Sequence, residues 1–374
     1  MIDRQRLMRT LLQYIDIQSA SYHEAMCAEQ ILRDLHALTY LHPTIEVDAV
    51  GPQCGSDTGN IYCRIEGDID AQPLLFCAHM DTVNHGGEKI VAVVQGDEVK
   101  SDTQTILSGD DKSGIVAILE ALRVIDEQRL LHRPIEVLFT VCEEVGLLGS
   151  KYADMGRFAS KCAVVPDSLG HAGNLIVRAP GQNRIYADLY GVAAHAGICP
   201  EEGVSAIMVG AEAIGNMPLL RIDEETTANI GTFAAAGATN IVAPQARLEM
   251  EVRSCSAHKL TQYTARMVDS LEEAARKHGA KVEIEVEHTY APFALDEGNP
   301  YVQMAAQACR ACDVPVAFLS SGGGSDSNNF NQYGIVSFNI GTGMHAPHTT
   351  QETLCIPEFE GCARMILHLM RAAQ

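Results

Sequence analysis

The sequence predicts an α/β protein: a mostly parallel sheet flanked by helices, interrupted by a smaller inserted α+β domain. Three observations carry that expectation. From residue 74 onward, continuous apolar runs alternate with helical patterns, as in a sheet covered on both faces. From 178 to 290 the strand-like segments instead alternate apolar with polar residues, as in a sheet with one wet face. After 291 the buried style returns, so the first domain, 1–177 plus 291–374, is discontinuous. A length of 374 residues also favours two domains over one.

The elements follow in order. The first 36 residues read as helical, with Leu7, Leu11 and Ile15, then Ala28, Ile31 and Leu35, at helical spacing. PLLFCAHMD (73–81) is an expected strand and GIVAILEALRVI (114–125) a helix. PIEVLFTVCEE (134–144) and the shorter CAVVP (162–166) are strands again. In the inserted segment RIYADLY (184–190), ARLEMEVR (246–253) and KVEIEVE (281–287) are the alternating strands. Helical patterns cover SAIMVGAEAIGNM (205–217) and 257–277. A further helix over 299–311 and the strand GIVSFNIG (334–341) lead to a closing helix over 356–373.

Composition excludes several classes of function. Lysine and arginine number 27 against 48 acidic residues, a formal net charge of −21. That balance argues against nucleic-acid binding and against docking on anionic membranes. It suits an enzyme able to hold multivalent cations. With no apolar run long enough for a membrane span and no signal-peptide layout at the N-terminus, a soluble cytoplasmic protein is expected. The 12 cysteines are irregularly placed and read as reduced thiols. Cys309 and Cys312 form the sole CxxC, but they lie in a helical pattern without a second pair, so buried helix cysteines are the better reading. Cys199 either lines a site or merely packs, and nothing in the sequence decides between the two.

The polar clusters of the first domain fall at the C-terminal ends of the expected strands, the edge where open α/β sheets bind ligands. His79 and Asp81 end the first strand. Asp110 and Asp111 stand in LSGDDKSG, ahead of a helix. Glu143 and Glu144 close the next strand, Asp167 follows CAVVP, and His345 and His348 follow FNIGTG. Singly, each is an ordinary turn, cap or core residue. Together they crowd carboxylates and imidazoles onto one edge, where repulsion would be severe without cations. A cysteine-free set of imidazoles and carboxylates suits zinc, cobalt or manganese in a reactive centre, and the surplus of carboxylates suggests two metals sharing one ligand.

AHMDTV (78–83), SGDDKSG (108–114), CEEVGLLGS (142–150), VPD (165–167), GVAAHAGICPEEG (191–203) and MHAPHTTQE (344–352) resemble, in the same order, the signatures of the M20 di-metal peptidases. The wording is closest to the peptidase T-like branch of tripeptide aminopeptidases. The resemblance runs from about residue 10 to the C-terminus. It implies a zinc-exopeptidase type of catalytic domain interrupted by a dimerisation (lid) domain, hence a homodimer acting on short peptides. It also implies two divalent cations, zinc first and cobalt or manganese as alternatives.

Carried over by position, it places His79, Asp110 and Asp167 on one metal, and Glu144 and His348 on the other, with Asp110 bridging. His348 is preferred to His345 because it stands four residues before Glu352. Asp81 would fix the imidazole of His79, and the peptide after Asp110 would be cis. Glu143, on the opposite side of the strand end from Glu144, would take a proton from the metal-bridging water and pass it to the leaving nitrogen. His195 would stabilise the oxyanion in the partner subunit's site. Asn240 and Arg253 match substrate-contacting positions, although Arg253 reads equally well as a solvated strand residue. GGGSDSNNF (322–330), with Gly323 and Gly324, resembles a Gly-rich substrate loop. Two alternatives stay open: an N-acyl amino acid deacylase or desuccinylase of the same family, and a catalytically inactive metal-binding scaffold. The intact Glu143 and full ligand set count against the scaffold.

Overall fold

The computed structural model describes residues 1–102 and 104–372. Its strands are β1 (Thr44–Val47), β2 (Ile61–Ile65), β3 (Leu74–His79), β4 (Ala92–Gln95), β5 (Glu98–Ser101), β6 (Ile135–Thr140), β7 (Cys162–Leu169), β8 (Asn174–Ala179), β9 (Gly181–Tyr190), β10 (Leu220–Asp223), β11 (Thr226–Ala234), β12 (Gln245–Ser254), β13 (Lys281–Tyr290), β14 (Phe293–Ala294), β15 (Ala317–Ser320), β16 (Val336–His345) and β17 (Thr353–Cys355). The helices are α1 (Arg4–Ile15), α2 (Ala25–His36), α3 (Gly51–Cys54), α4 (Gly109–Gln128), α5 (Leu148–Tyr152), α6 (Ala206–Asn216), α7 (Ala257–His278), α8 (Pro300–Ala311), α9 (Asp326–Gln332) and α10 (Ile356–Arg371). Residue 373, the last of the expected closing helix, lies outside the described residues.

Two units emerge. The first comprises Met1–Arg178, Ala294–Ser321 and Ser325–Gln374, and the second Ala179–Phe293 with Gly322–Gly324. The sequence expectation placed 291–374 with the first domain; in this division 291–293 and Gly322–Gly324 group with the second unit. The glycine loop packs closely there: a Cβ on Gly324 would meet the Tyr290 ring at 2.3 Å, and only glycine lets the loop lie against that side chain.

The large sheet of the first unit runs β1-β2-β6-β3-β7-β16-β17-β5-β4, with β8, β14 and β15 attached off this path. Its centre is parallel, β6 to β3, β3 to β7 and β7 to β16, as is the β8–β15 pair. These central strands are the continuous apolar runs legible in the sequence. The flanks are antiparallel. Short, half-exposed strands such as β1 and β4 carry too little periodic signal to be read in advance. One strand ends early. β6 stops at Thr140, so Glu143 and Glu144 lie in the turn beyond it, and strand alternation does not govern where they point.

Helix α4 shows why this unit holds together. Ile115 to Leu119, Ala121, Leu122, Val124 and Ile125 are buried around its whole circumference, as expected of a helix enclosed on all sides. It packs on β3 and β7 and against α1 and α10. Each of the valine, leucine and isoleucine side chains among them contributes about 1.5–3 kcal/mol by leaving water. The helix start, and with it the preceding loop, is thereby anchored beneath the strand ends.

The second unit is an antiparallel sheet, β10-β11-β12-β9-β13, with α6 and α7 packed on it. Burial alternates along β12, the wet-face pattern read from the sequence. Helix α7 buries Leu260, Thr264, Met267 and Leu271 at spacings of three and four. The Ser256 hydroxyl caps its start and Gly279, at φ 70°, ends it. No described helix is long and apolar enough to cross a membrane.

Candidate metal centre

Five chain segments converge at the C-terminal edge of the parallel strands. β3 ends on His79, β7 carries Asp167 near its end, and the non-helical first turn of α4 presents Asp110. Glu143 and Glu144 follow β6, and His348 follows β16. Asp110 sits in the middle. Its Oδ1 lies 3.1 Å from His79 Nε2, and its Oδ2 lies 3.1 Å from His348 Nε2. His348 Nε2 is also 3.0 Å from Glu144 Oε1, and His79 Nε2 is 4.0 Å from Asp167 Oδ1. Potential donor atoms of His79, Asp110 and Glu144 fall within 4.8 Å of one another, as do those of His79, Asp111 and Asp167. Asp111, expected only as part of the LSGDDKSG cluster, therefore stands beside the expected ligands. The Asp110–Asp111 peptide is cis.

The donor set suits cations. Glu144 Oε1 is buried without a hydrogen-bond partner, although it sits close to an imidazole nitrogen, and Asp111 Oδ2 is likewise orphaned. Ligands of one tetrahedral metal with bonds of about 2.0–2.1 Å stand roughly 3.3 Å apart, close to the spacing seen here. Burial pushes the carboxyl groups of Glu143 and Asp167 well above their ordinary range, and neighbouring carboxylates add to it. Burial disfavours charge on His79, but Glu143, Asp110, Asp81 and Asp167 outweigh it, so its pKa lies well above the usual value. The adjacent Asp110 and Glu144 carboxylates raise that of His348 to about 10. Both imidazoles thus sit in a field that strongly favours a bound positive charge.

His79 is oriented by Asp81, but not through the carboxylate. Nδ1 of His79 lies 2.8 Å from the main-chain carbonyl of Asp81 and 3.5 Å from its side chain. A carbonyl only accepts, so Nδ1 carries a proton, which leaves Nε2 as the ring nitrogen able to ligate a cation. The Asp81 carboxylate is spent elsewhere. It accepts the main-chain N–H groups of Glu143 (2.9 Å) and Glu144 (3.2 Å) and the hydroxyl of Ser21 (2.7 Å). Beyond β6, side chains thus replace sheet partners in holding the paired glutamates.

The model of peptidase family M20/M25/M40 matches residues 75–372. This chain belongs to that family. The YqjE protein of Bacillus subtilis is 36% identical over 373 residues, covering 100% of both chains. Among solved structures, the aminopeptidase PepT of Bacillus cereus aligns with a TM-score of 0.89 at 34% identity, over 99% of this chain and 98% of that one. A tripeptidase from Staphylococcus aureus aligns with a TM-score of 0.93 at 34% identity, with the same coverage. The M20 chain described here is therefore a peptidase T-like hydrolytic enzyme, with a cluster of candidate metal-binding residues.

Other expected residues of this M20 chain find varied places. Of the two C-terminal histidines, His348 joins the cluster, whereas His345 is exposed and pairs with Glu358 at 3.2 Å. Within the second unit, His195 and Asn240 are exposed on adjoining segments: the Ala196 N–H donates to the Asn240 carbonyl at 2.9 Å, and His195 bridges to Ile241. Arg253 lies half-buried on β12 and pairs with Glu251 at 3.0 Å. Gly324 has its packing reason in Tyr290, and Gly323 belongs to the same loop. Cys309 and Cys312 are free thiols at the end of α8, with Cys309 buried against Met365. Cys199 is a half-buried free thiol just ahead of a short turn.

Sequence reasoning missed three supports. Glu352, noted for its spacing alone, accepts the main-chain N–H groups of Leu107, Ser108, Gly109 and Asp110 at 2.8–3.2 Å. Asp326 is buried and accepts hydroxyl groups from Thr140 and Ser150. Glu24, also buried, accepts the Cys142 N–H at 3.0 Å. Only the S-x-x-E wording around Ser21 and Glu24 hinted at anything, and it reads as a helix start.

Proposed function

We propose that this chain is a di-metal tripeptidase-like aminopeptidase of the cytoplasm, acting on short peptides as a homodimer assembled through the inserted domain. The observation that carries it is the two-sided Asp110 carboxylate, one oxygen facing His79 and the other His348. His79, Asp110 and Asp167 would hold one cation, and Glu144 and His348 the other, with Asp110 shared; zinc suits the set best, with cobalt or manganese as alternatives. When bound, the metals supply Lewis acidity and make water a nucleophile near neutral pH. Glu143, buried beside the cluster but outside both geometric groups, takes the proton of the attacking water and delivers it to the leaving nitrogen. His195 stabilises the oxyanion of the partner subunit's site. Asn240, Arg253 and the glycine loop hold the substrate's polar ends.

A panel of tripeptides, dipeptides, N-acetylated peptides and N-acyl amino acids, run with metal-reconstituted protein, tests this reading. Preference for free-amine tripeptides is expected. Preference for N-acyl amino acids would replace it with the deacylase reading, and silence across the panel would favour the scaffold. The proposed role of His195 has its own test. Mixing His195→Ala with Glu143→Gln subunits is expected to restore activity, because hybrid dimers regain one site with both residues. No recovery despite demonstrated subunit exchange would rule out donation across the dimer.

A further inference from the structure

The turn that carries Glu143 is held from outside the sheet. Four consecutive main-chain N–H groups beyond β6 each reach a side-chain oxygen: Val141 to Asn60 (3.0 Å), Cys142 to Glu24 (3.0 Å), and Glu143 and Glu144 to Asp81. The unusual member is Glu24. It is fully buried at the start of α2, yet its side chain does not cap that helix. Oε1 accepts from the Cys142 and Tyr22 N–H groups, both at 3.0 Å, and from the Cys142 thiol at 3.3 Å. Oε2 accepts from the Ser56 hydroxyl at 2.5 Å. Among the described residues no lysine or arginine pairs with it. Burying a carboxylate on neutral donors alone is costly, so its place calls for a reason.

Cys142 supplies one. Its φ of 53° lies in the left-handed region that non-glycine residues seldom occupy. The next residue is Glu143, and the direction of that side chain depends on this turn. The segment bearing Glu24 is itself tied to the centre. Ser19 and Ser21 exchange main-chain hydrogen bonds with Thr82, the Ser21 hydroxyl donates to Asp81, and the Lys112 ammonium donates to the Ile17 carbonyl.

We propose that Glu24 is a positioning residue for Glu143, locking the Cys142 main chain so that the following carboxylate is aimed at the reacting water. This deepens the peptidase reading and rests on it for the identity of the reaction. A glutamine can keep the Oε1 bonds and donate its amide to Ser56; an alanine cannot.

The test uses the full chain reconstituted with zinc and assayed on a free-amine tripeptide. Glu24→Ala is expected to lower kcat by about ten- to a hundredfold, the scale of a misplaced catalytic group, with KM and metal content unchanged. Glu24→Gln restores most of the rate. In a Glu143→Gln background, Glu24→Ala costs nothing further, because it acts through the group already removed. Independently of any substrate, hydrogen exchange at 141–144 is expected to quicken in Glu24→Ala and not in Glu24→Gln. Unchanged exchange in Glu24→Ala, or an undiminished kcat penalty in the Glu143→Gln background, would overturn the assignment. Should the wild-type protein cleave no peptide, the functional reading fails and the exchange result alone decides the positioning. If Glu24→Ala does not fold, Ser56→Ala loosens the same carboxylate; a smaller loss confined to kcat is expected, and wild-type kcat and exchange would overturn the proposal.

Discussion

Glu143→Gln is expected to slow tripeptide turnover by roughly two to four orders of magnitude while both metals stay bound, the usual worth of a general base. That is a rise of about 3–5 kcal/mol in the barrier. The amide matches the carboxylate in size, so packing is preserved, but it cannot accept the proton of the attacking water. Metal content separates this residue from its neighbour. Glu144 lies in the geometric group with His79 and Asp110 and touches His348 at 3.0 Å, so Glu144→Gln is expected to lose metal as well as rate. Steady-state kinetics paired with elemental analysis reads both. Wild-type turnover in Glu143→Gln would remove Glu143 from its role.

Chelation is expected to abolish activity altogether, with recovery on adding zinc, cobalt or manganese. It should also lower the melting temperature. Asp167, Glu143 and Glu144 are gathered where burial and mutual repulsion disfavour their charge, and cations relieve both. A metal present at a hundred times its Kd stabilises the folded chain by about 2.7 kcal/mol. Calorimetry with and without chelator measures the stability effect, and peptide hydrolysis the other. Full activity in protein shown to be metal-free would reject the di-metal mechanism.

What was legible in the sequence follows from the range of the interactions involved. Buried strands β3, β6, β7 and β16 announce themselves because their neighbours along the chain are all apolar, and α7 does so through its stripe. His79, Glu144, Asp167 and His348 end or follow such elements and Asp110 opens a helix, which placed them among the candidates, and the M20 resemblance singled them out. Their supports could not be nominated this way. Glu24 meets Cys142 across 118 positions, and Glu352 meets Leu107 across 245, with no local pattern linking them. The paired glutamates mark the limit most clearly. Alternation predicted opposite faces for Glu143 and Glu144, but the strand stops at Thr140 and acceptors from distant segments set their directions instead.

The Glu352 carboxylate gathers the four N–H groups that lead into Asp110, and His348 lies just ahead of it. Translation delivers these two residues long after His79, Asp110 and Glu144 have left the ribosome. The nascent chain therefore carries most of its acidic cluster for much of its synthesis with neither the loop's brace nor the second imidazole. The loop's brace and the second imidazole can therefore join the cluster only after the whole of the intervening sequence, the second unit included, has been made.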